Sequence, residues 1–268
     1  MNPCHGFAGM LRRFLQAGAL AALLLPGLPA RALELRLEFI NALPTVTATL
    51  PDGQTLHLLV DLGGDAALRL NREWITRLGL TALPTEGKSQ DAFARGLDNT
   101  RYGALDLQLG GERFHIDDVR PGRDRPGIDG YIGAPLLMPY RIVFEYAQQR
   151  IRLLPPAQAD AVCQGKTLPL QKMGRLLVVE AQSALGPLRL GIDSGANYNV
   201  IQRSRLLADS DAVQTLPALQ LAGLPQADLR FKPLALQISG LDGFLGTPFF
   251  SAQPVCIDAA AATMILGS

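Results

Sequence analysis

The sequence predicts an all-β protein of two lobes, built by internal duplication and carrying short helices. Three observations predict it. Apolar residues alternate with polar ones in short runs separated by glycine and proline turns, which is the period of strands. An apolar run ending in Asp-x-Gly occurs twice, as Leu58-Leu59-Val60-Asp61-Leu62-Gly63-Gly64 and as Leu190-Gly191-Ile192-Asp193-Ser194-Gly195-Ala196. A block of Asp-Gly-apolar-apolar-Gly also occurs twice, at 129–133 and at 242–246, and in each copy the last glycine precedes a closing-strand leucine, Leu153 or Leu266, by 20 residues. Paired motifs at matched spacing indicate a repeated unit.

The chain of 268 residues is long enough for two small lobes. Hydrophobic residues at 48% and charged residues at 18% give a globular composition, and a formal charge of +1 offers no attraction for nucleic acid. Residues 1–32 read as a secretory signal: Arg12 and Arg13 precede the apolar run Phe14 to Leu25, and Ala30-Arg31-Ala32 is an A-x-A cleavage site. The apolar run is short for a membrane span, and a mature chain starting at Leu33 has no second one, so no stable membrane span is expected after cleavage. The Ala/Leu/Arg-rich signal points to a bacterial periplasm or to secretion. Cys4 leaves with the signal. Cys163 and Cys256 remain, an even number in an oxidising compartment, and read either as a disulfide or as two separate buried thiols.

In chain order, Thr45 to Leu50 and Thr55 to Val60 flank Pro51-Asp52-Gly53 and form a hairpin running into Asp61. Arg72 to Leu80 has helical spacing with Gly79 as a stop. The first half, 33–155, carries 19 more residues between its two motifs than the second, and the polar stretch 81–103 is the place for them. Pro155, Pro156 and the polar residues up to Gln164 form a linker, 156–164, and residues 165–268 repeat the plan.

Two Asp-bearing turns brought together at a pseudo-twofold axis would place two carboxylates within a few ångström. Such a pair holds one proton, so that one member acts as base on water and the other as acid on a carbonyl. His57 and His115 have no metal-ligand spacing, and neither a metal nor a cofactor is expected. Asp129 and Asp242 precede glycine and read as turn formers. A Ser-His reading of Asp193-Ser194-Gly195 fails, because it explains neither the copy at Asp61 nor the repeated glycine blocks.

The halves resemble the retropepsin-like and pepsin-like aspartic proteases. The signature is apolar-apolar-Asp-Thr/Ser-Gly-Ala/Ser followed later by apolar-apolar-Gly. Gly191 to Ala196 with Phe244-Leu245-Gly246 fits it, and Leu59 to Gly64 with Tyr131-Ile132-Gly133 fits with one departure. The resemblance implies an acid-protease-like fold and an endopeptidase whose catalytic residues are Asp61 and Asp193. It implies supporting loops of Gly63, Gly64, Ser194, Gly195 and Ala196, and packing glycines Gly133 and Gly246. It also implies a flap carried by 81–103, a peptide or protein substrate, and a monomer whose lobes pair within one chain. The departure is Leu62, where the family has a hydroxyl that bonds across to the opposite turn. A missing hydrogen bond costs about 0.5–1.5 kcal/mol, so the alternative is a weak or inactive protease fold serving as a peptide-binding or inhibitory module of the cell envelope. Gly64 and Ala196 also lack the donor that many members place there. That absence leaves a dyad proton more tightly held and predicts activity around pH 5–6.

Overall fold

The computed structural model describes residues 32–84, 89–93, 95–156, 158, 163–206 and 211–267. The signal segment, apart from Ala32, lies outside the described residues, as does most of the linker. The fold is mainly β, with three short helices among the described residues: Arg72–Arg77, Ala134–Leu137 and Thr247–Ala252.

Each half is built around the same crossing. In the first, Thr55–Asp61 runs parallel to Gly130–Gly133, with Leu59 opposite Tyr131 and Asp61 opposite Gly133. The other edge of Gly130–Gly133 is antiparallel to Leu68–Leu70. In the second, Gly186–Ile192 runs parallel to Gly243–Leu245, with Gly191 opposite Phe244, and Asn199–Gln202 lies antiparallel on the far side. The glycine-block strand thus inserts between the strands before and after each Asp turn. Parallel neighbours need a long crossover, which is why the two motifs of each half lie far apart in sequence yet touch.

The aspartates of the glycine blocks do more than form turns. The Asp129 carboxylate accepts from the main-chain N–H of His57 at 2.8 Å and from Trp74 Nε1 at 2.7 Å, and the Asp129 N–H donates to the His57 carbonyl at 2.9 Å. Asp242 repeats this on Arg189, at 2.8 Å to its N–H and 2.9 Å to its carbonyl, and pairs with the Arg205 guanidinium at 3.3 Å. Each block is therefore locked to the start of the strand that carries a motif aspartate.

The halves meet in a six-stranded sheet ordered Leu33–Ile40, Arg150–Leu154, Arg141–Glu145, Val255–Asp258, Thr263–Gly267, Gly165–Met173. The central pair joins one half to the other, with Val143 opposite Cys256 and Arg141 ion-paired to Asp258 at 3.1 Å. Alternation sets its buried face: Leu33, Leu35 and Leu37 are buried, while Glu34, Arg36 and Glu38 are exposed. Phe144 of the first half stacks against Phe250 of the second with ring centroids 4.6 Å apart, and Tyr146 and Phe249 extend the cluster. Full burial of one such ring contributes about 1.5–3 kcal/mol, so the lobes share one core.

Cys163 and Cys256 form a disulfide with Cα atoms 5.6 Å apart, 93 residues apart in sequence. It ties the start of the second half to the strand at the lobe junction. Replacing both cysteines by alanine should lower unfolding free energy by about 2–5 kcal/mol, as expected for a cross-link closing a long loop. Urea unfolding of the double variant beside the oxidised wild type checks this.

Candidate active site

The two Asp turns face each other across the lobe junction. The carboxyls of Asp61 and Asp193 lie close enough for each to shift the proton affinity of the other. A Cβ built on Gly195 would lie 2.6 Å from Asp61 Cγ, and one on Gly63 would lie 2.9 Å from Asp193 Cγ. No side chain fits at either position, so the glycine in each Asp-x-Gly is what allows the opposite carboxylate to come in. Gly133 and Gly246 are as constrained: a Cβ on Gly133 would be 2.3 Å from the Ala66 carbonyl oxygen, and one on Gly246 would be 2.3 Å from that of Tyr198. Helices Ala134–Leu137 and Thr247–Ala252 begin at these glycines. Their first N–H groups, of Ala134 and Thr247, bond the carbonyls of Gly64 and Ala196 at 3.1 and 2.8 Å, holding both turns from behind.

Ser194 bolts the turns together. Its buried hydroxyl accepts from the Leu62 N–H at 3.0 Å and donates to the Val60 carbonyl at 2.8 Å. The reciprocal hydroxyl bonds cannot form, because position 62 is Leu. The Leu62 side chain is 1% exposed and belongs to the main apolar core. A threonine there would supply a hydroxyl but give up an apolar side chain whose burial is worth about 1.5–3 kcal/mol.

The carboxylates do not ionise independently. Burial pushes both up from the ordinary carboxylate range. Asp193 is raised further by the charge of Asp61 and reaches about 8, although the Gly195 N–H donates to it at 3.0 Å. Asp61 is raised by burial as well, although the main-chain N–H groups of Gly63 and Gly64 favour its ionised form. The pair therefore shares one proton from mild acid to near neutrality. The Arg125 guanidinium acts on both carboxylates in the opposite sense.

A hairpin from the first half reaches across to the second. Ser89–Gln90 pairs with Gly96–Leu97, above a base where Ala82–Leu83 pairs with Arg101–Tyr102. Asp91 organises the tip: its carboxylate accepts from the N–H groups of Phe93 and Arg95 at 2.9 Å each and pairs with Arg123 at 2.7 Å. The tip rests on the second half. The Ala92 carbonyl accepts from the Gln237 N–H at 2.8 Å, and Phe93 packs on an apolar cluster of Val178, Val200, Leu236, Leu241 and Phe244. Asp65, just past the first turn, is ion-paired with Arg69 at 2.8 Å, and the Arg175 guanidinium reaches its carbonyl from the second half at 2.6 Å. His57 and His115 stand on separate strands, and no group of three or more metal-ligating side chains occurs among the described residues. Arg125 and Phe93 were not signalled by a motif. Aligning the two glycine blocks would have exposed Arg125, whose counterpart 113 residues on is Ile238.

No family model matches the chain, and no curated protein matches its sequence. Solved structures do match in shape. An aspartic proteinase from Irpex lacteus superposes with a TM-score of 0.58 at 12% identity, over 88% of this chain and 97% of that one. The basic 7S globulin from soybean superposes with a TM-score of 0.57 at 11% identity, over 89% of this chain and 95% of that one. The fold is that of the pepsin-like aspartic proteinases. At these identities the likeness concerns the backbone path, and one of the two names is a proteinase's while the other is a globulin's.

Two outcomes are expected. Ser194→Ala strands the Leu62 N–H and the Val60 carbonyl in a buried place and should cost about 1–3 kcal/mol in denaturant unfolding. A carboxyl raised by folding binds its proton more tightly in the native than in the unfolded state. It therefore makes stability fall as pH rises from the ordinary carboxylate value, 3.8, towards the folded value of about 8. The melting temperature of the wild type should decline across that window, and Asp193→Asn should flatten the decline. A wild-type profile as flat as the variant's would rule out the raised proton affinity.

Proposed function

We propose that the protein is an aspartic endopeptidase that hydrolyses peptide bonds through the Asp61/Asp193 pair. The observation that carries this reading is that each motif carboxylate is seated against the glycine of the opposite turn, at the foot of the same strand–turn–strand crossing. The ionised member of the pair takes a proton from a water molecule held between the carboxylates. The protonated member gives its proton to the peptide carbonyl oxygen. The resulting tetrahedral diol breaks its C–N bond as a proton passes to the leaving amine, and the pair returns to one shared proton. Gly63 and Gly195 admit the partner carboxylate, and Ser194 fixes the spacing.

The fold supports this reading at the level of the backbone, and the raised proton affinity supports it at the level of chemistry. Arg125 and the main-chain donors keep one member ionised while burial keeps the other protonated, the division of labour that acid–base catalysis needs. The signal pattern and the disulfide support a periplasmic or secreted site of action. Among the described residues no helix is long and apolar enough to cross a membrane. The substrate is a peptide or protein, and the working form is a monomer whose lobes pair within one chain. The peptide-binding alternative is favoured by two observations, the missing hydroxyl at Leu62 and the seat that Phe93 takes in the second-half apolar cluster.

The test is a digest of a diverse peptide library by the purified protein, its Asp61→Asn and its Asp193→Asn variants. The wild type should cleave with a maximum in mild acid, around pH 5–6, and lose activity as the shared proton leaves near neutrality and above. Each variant should lose at least about a thousandfold in kcat, on the order of the cost of removing one member of an acid–base pair. Cleavage by either variant at the wild-type rate would remove the dyad from the mechanism. An uncut library across about pH 3–8, the span of ordinary and raised carboxyl values, would favour the binding module.

A further inference from the structure

The cleft is symmetric in its backbone and asymmetric in its chemistry. Leu59 lies two residues before Asp61, on the same face of its strand, and sits opposite Tyr131. Gly191 lies two residues before Asp193 and sits opposite Phe244, whose ring would be 2.8 Å from a Cβ at that glycine. Tyr131, packed on the wholly buried Leu59, therefore flanks one side of the carboxylate pair, and Phe244 flanks the other.

The rims come from equivalent loops. Arg123-Asp124-Arg125-Pro126-Gly127-Ile128 leads into Asp129, and Leu236-Gln237-Ile238-Ser239-Gly240-Leu241 leads into Asp242. The equivalence is geometric as well as positional: Gly127 and Gly240 adopt φ of 75° and 79°. Leu236 and Ile238 belong with Phe244 to the apolar cluster that receives Phe93. In the first half the same positions are Arg123 and Arg125. Arg123 is occupied, because it pairs with Asp91 of the hairpin and its carbonyl accepts from the Tyr131 hydroxyl. Arg125 lies over the Tyr131 ring, 5.8 Å from its centroid.

The other guanidinium groups around the cleft already have oxygen partners. Arg69 and Arg120 hold Asp65, at 2.8 and 3.7 Å, and Arg175 holds the Asp65 carbonyl. Among the described residues Arg125 makes no ion pair with any carboxylate. Its loop is nonetheless fixed, by the Ile128 N–H on the Arg125 carbonyl at 3.1 Å and by Asn41 Nδ2 on the Pro126 carbonyl at 3.1 Å. A guanidinium on a fixed loop, lying over an aromatic ring and in no ion pair, is preorganised for a planar carboxylate.

On the reading that Asp61 and Asp193 form the site, we propose that Arg125 is a specificity-determining residue, recognising a carboxylate of the substrate next to the scissile bond on the Leu59/Tyr131 side. The Phe244 side takes a bulky apolar side chain in the place that Phe93 holds. The substrate class is thus a peptide with an acidic residue and a large apolar residue flanking the cut.

The experiment uses paired peptides that differ only in Glu against Gln beside an apolar partner, with amidated and with free C-termini, and each enzyme at its own pH optimum. The wild type should favour the Glu peptide by roughly tenfold or more in kcat/KM, as a charge-assisted bond would give. Arg125→Lys should keep most of that preference, Arg125→Gln should reduce it to within about twofold, and Arg125→Glu should reverse it in favour of the Gln peptide. A preference that follows the free C-terminus and is likewise lost in Arg125→Gln assigns the same guanidinium to a terminal carboxylate. Equal treatment of Glu and Gln peptides by the wild type, or a preference that survives in Arg125→Gln, overturns the proposal. In parallel, dye-labelled peptides are bound to Asp193→Asn and followed by anisotropy. The Glu/Gln affinity ratio then tests Arg125 even if nothing is cleaved, whereas cleavage of no peptide counts against the dyad alone.

Discussion

The cleft depends on two turns approaching until the carboxylate of each occupies the space above the glycine of the other. Gly195 has no room for a Cβ because Asp61 is there, and Gly63 has none because Asp193 is there. Everything nearby serves or follows from that contact. The helices at Gly133 and Gly246 hold the turns from behind, Ser194 sets the distance between them, and the shared six-stranded sheet fixes the orientation of the halves. Two like charges brought so close and partly out of water raise each other's proton affinity. The raised proton affinity is therefore a consequence of the packing, and both are lost together if a side chain is placed at either glycine.

The bolt between the turns is one-sided, and the asymmetry has a packing cause. Ser194 spans from its turn to two main-chain groups of the other, while Leu62 turns into the core and is almost wholly buried. The first turn has exchanged a hydrogen-bonding role for an apolar one. In a protein interior those terms are of similar size, about 1 kcal/mol for a hydrogen bond and about 1.5–3 for a buried leucine, so the exchange need not weaken the fold. It changes which atoms fix the dyad: the hydroxyl of Ser194 and the backbone contacts of the flanking helices carry what two hydroxyls would share.

The same division runs through the cleft walls. The backbone repeats across the halves down to the positive φ of Gly127 and Gly240, yet the side chains that follow it are arginines on one side and apolar residues on the other. The hairpin crosses from the charged side to the apolar side. Its tip is anchored by Arg123 through Asp91 and rests with Phe93 on the cluster around Phe244. A repeated scaffold with unlike walls can distinguish the two ends of an extended chain laid across it, which a strictly symmetric cleft cannot do.

The sequence by itself determined the class of fold and the two turns that face each other, because those follow from local rules: strand alternation, Asp-x-Gly after an apolar run, and equal spacing of two motifs. Asp61, Asp193 and the glycines beside them were legible for that reason, as was the loss of a hydroxyl at Leu62. Asp129 and Asp242 read only as turn formers, because a carboxylate that bonds a strand 53 or more residues away leaves no local pattern. The tertiary structure alone decided that Leu62 belongs to the core, that Cys163 meets Cys256, that Phe93 reaches the opposite half, and that Arg125 lies over the Tyr131 ring. Each of these is a contact between residues far apart in the chain, selected by shape and charge in three dimensions. A one-dimensional pattern records the period of a strand, but not which distant side chain fills the space in front of it.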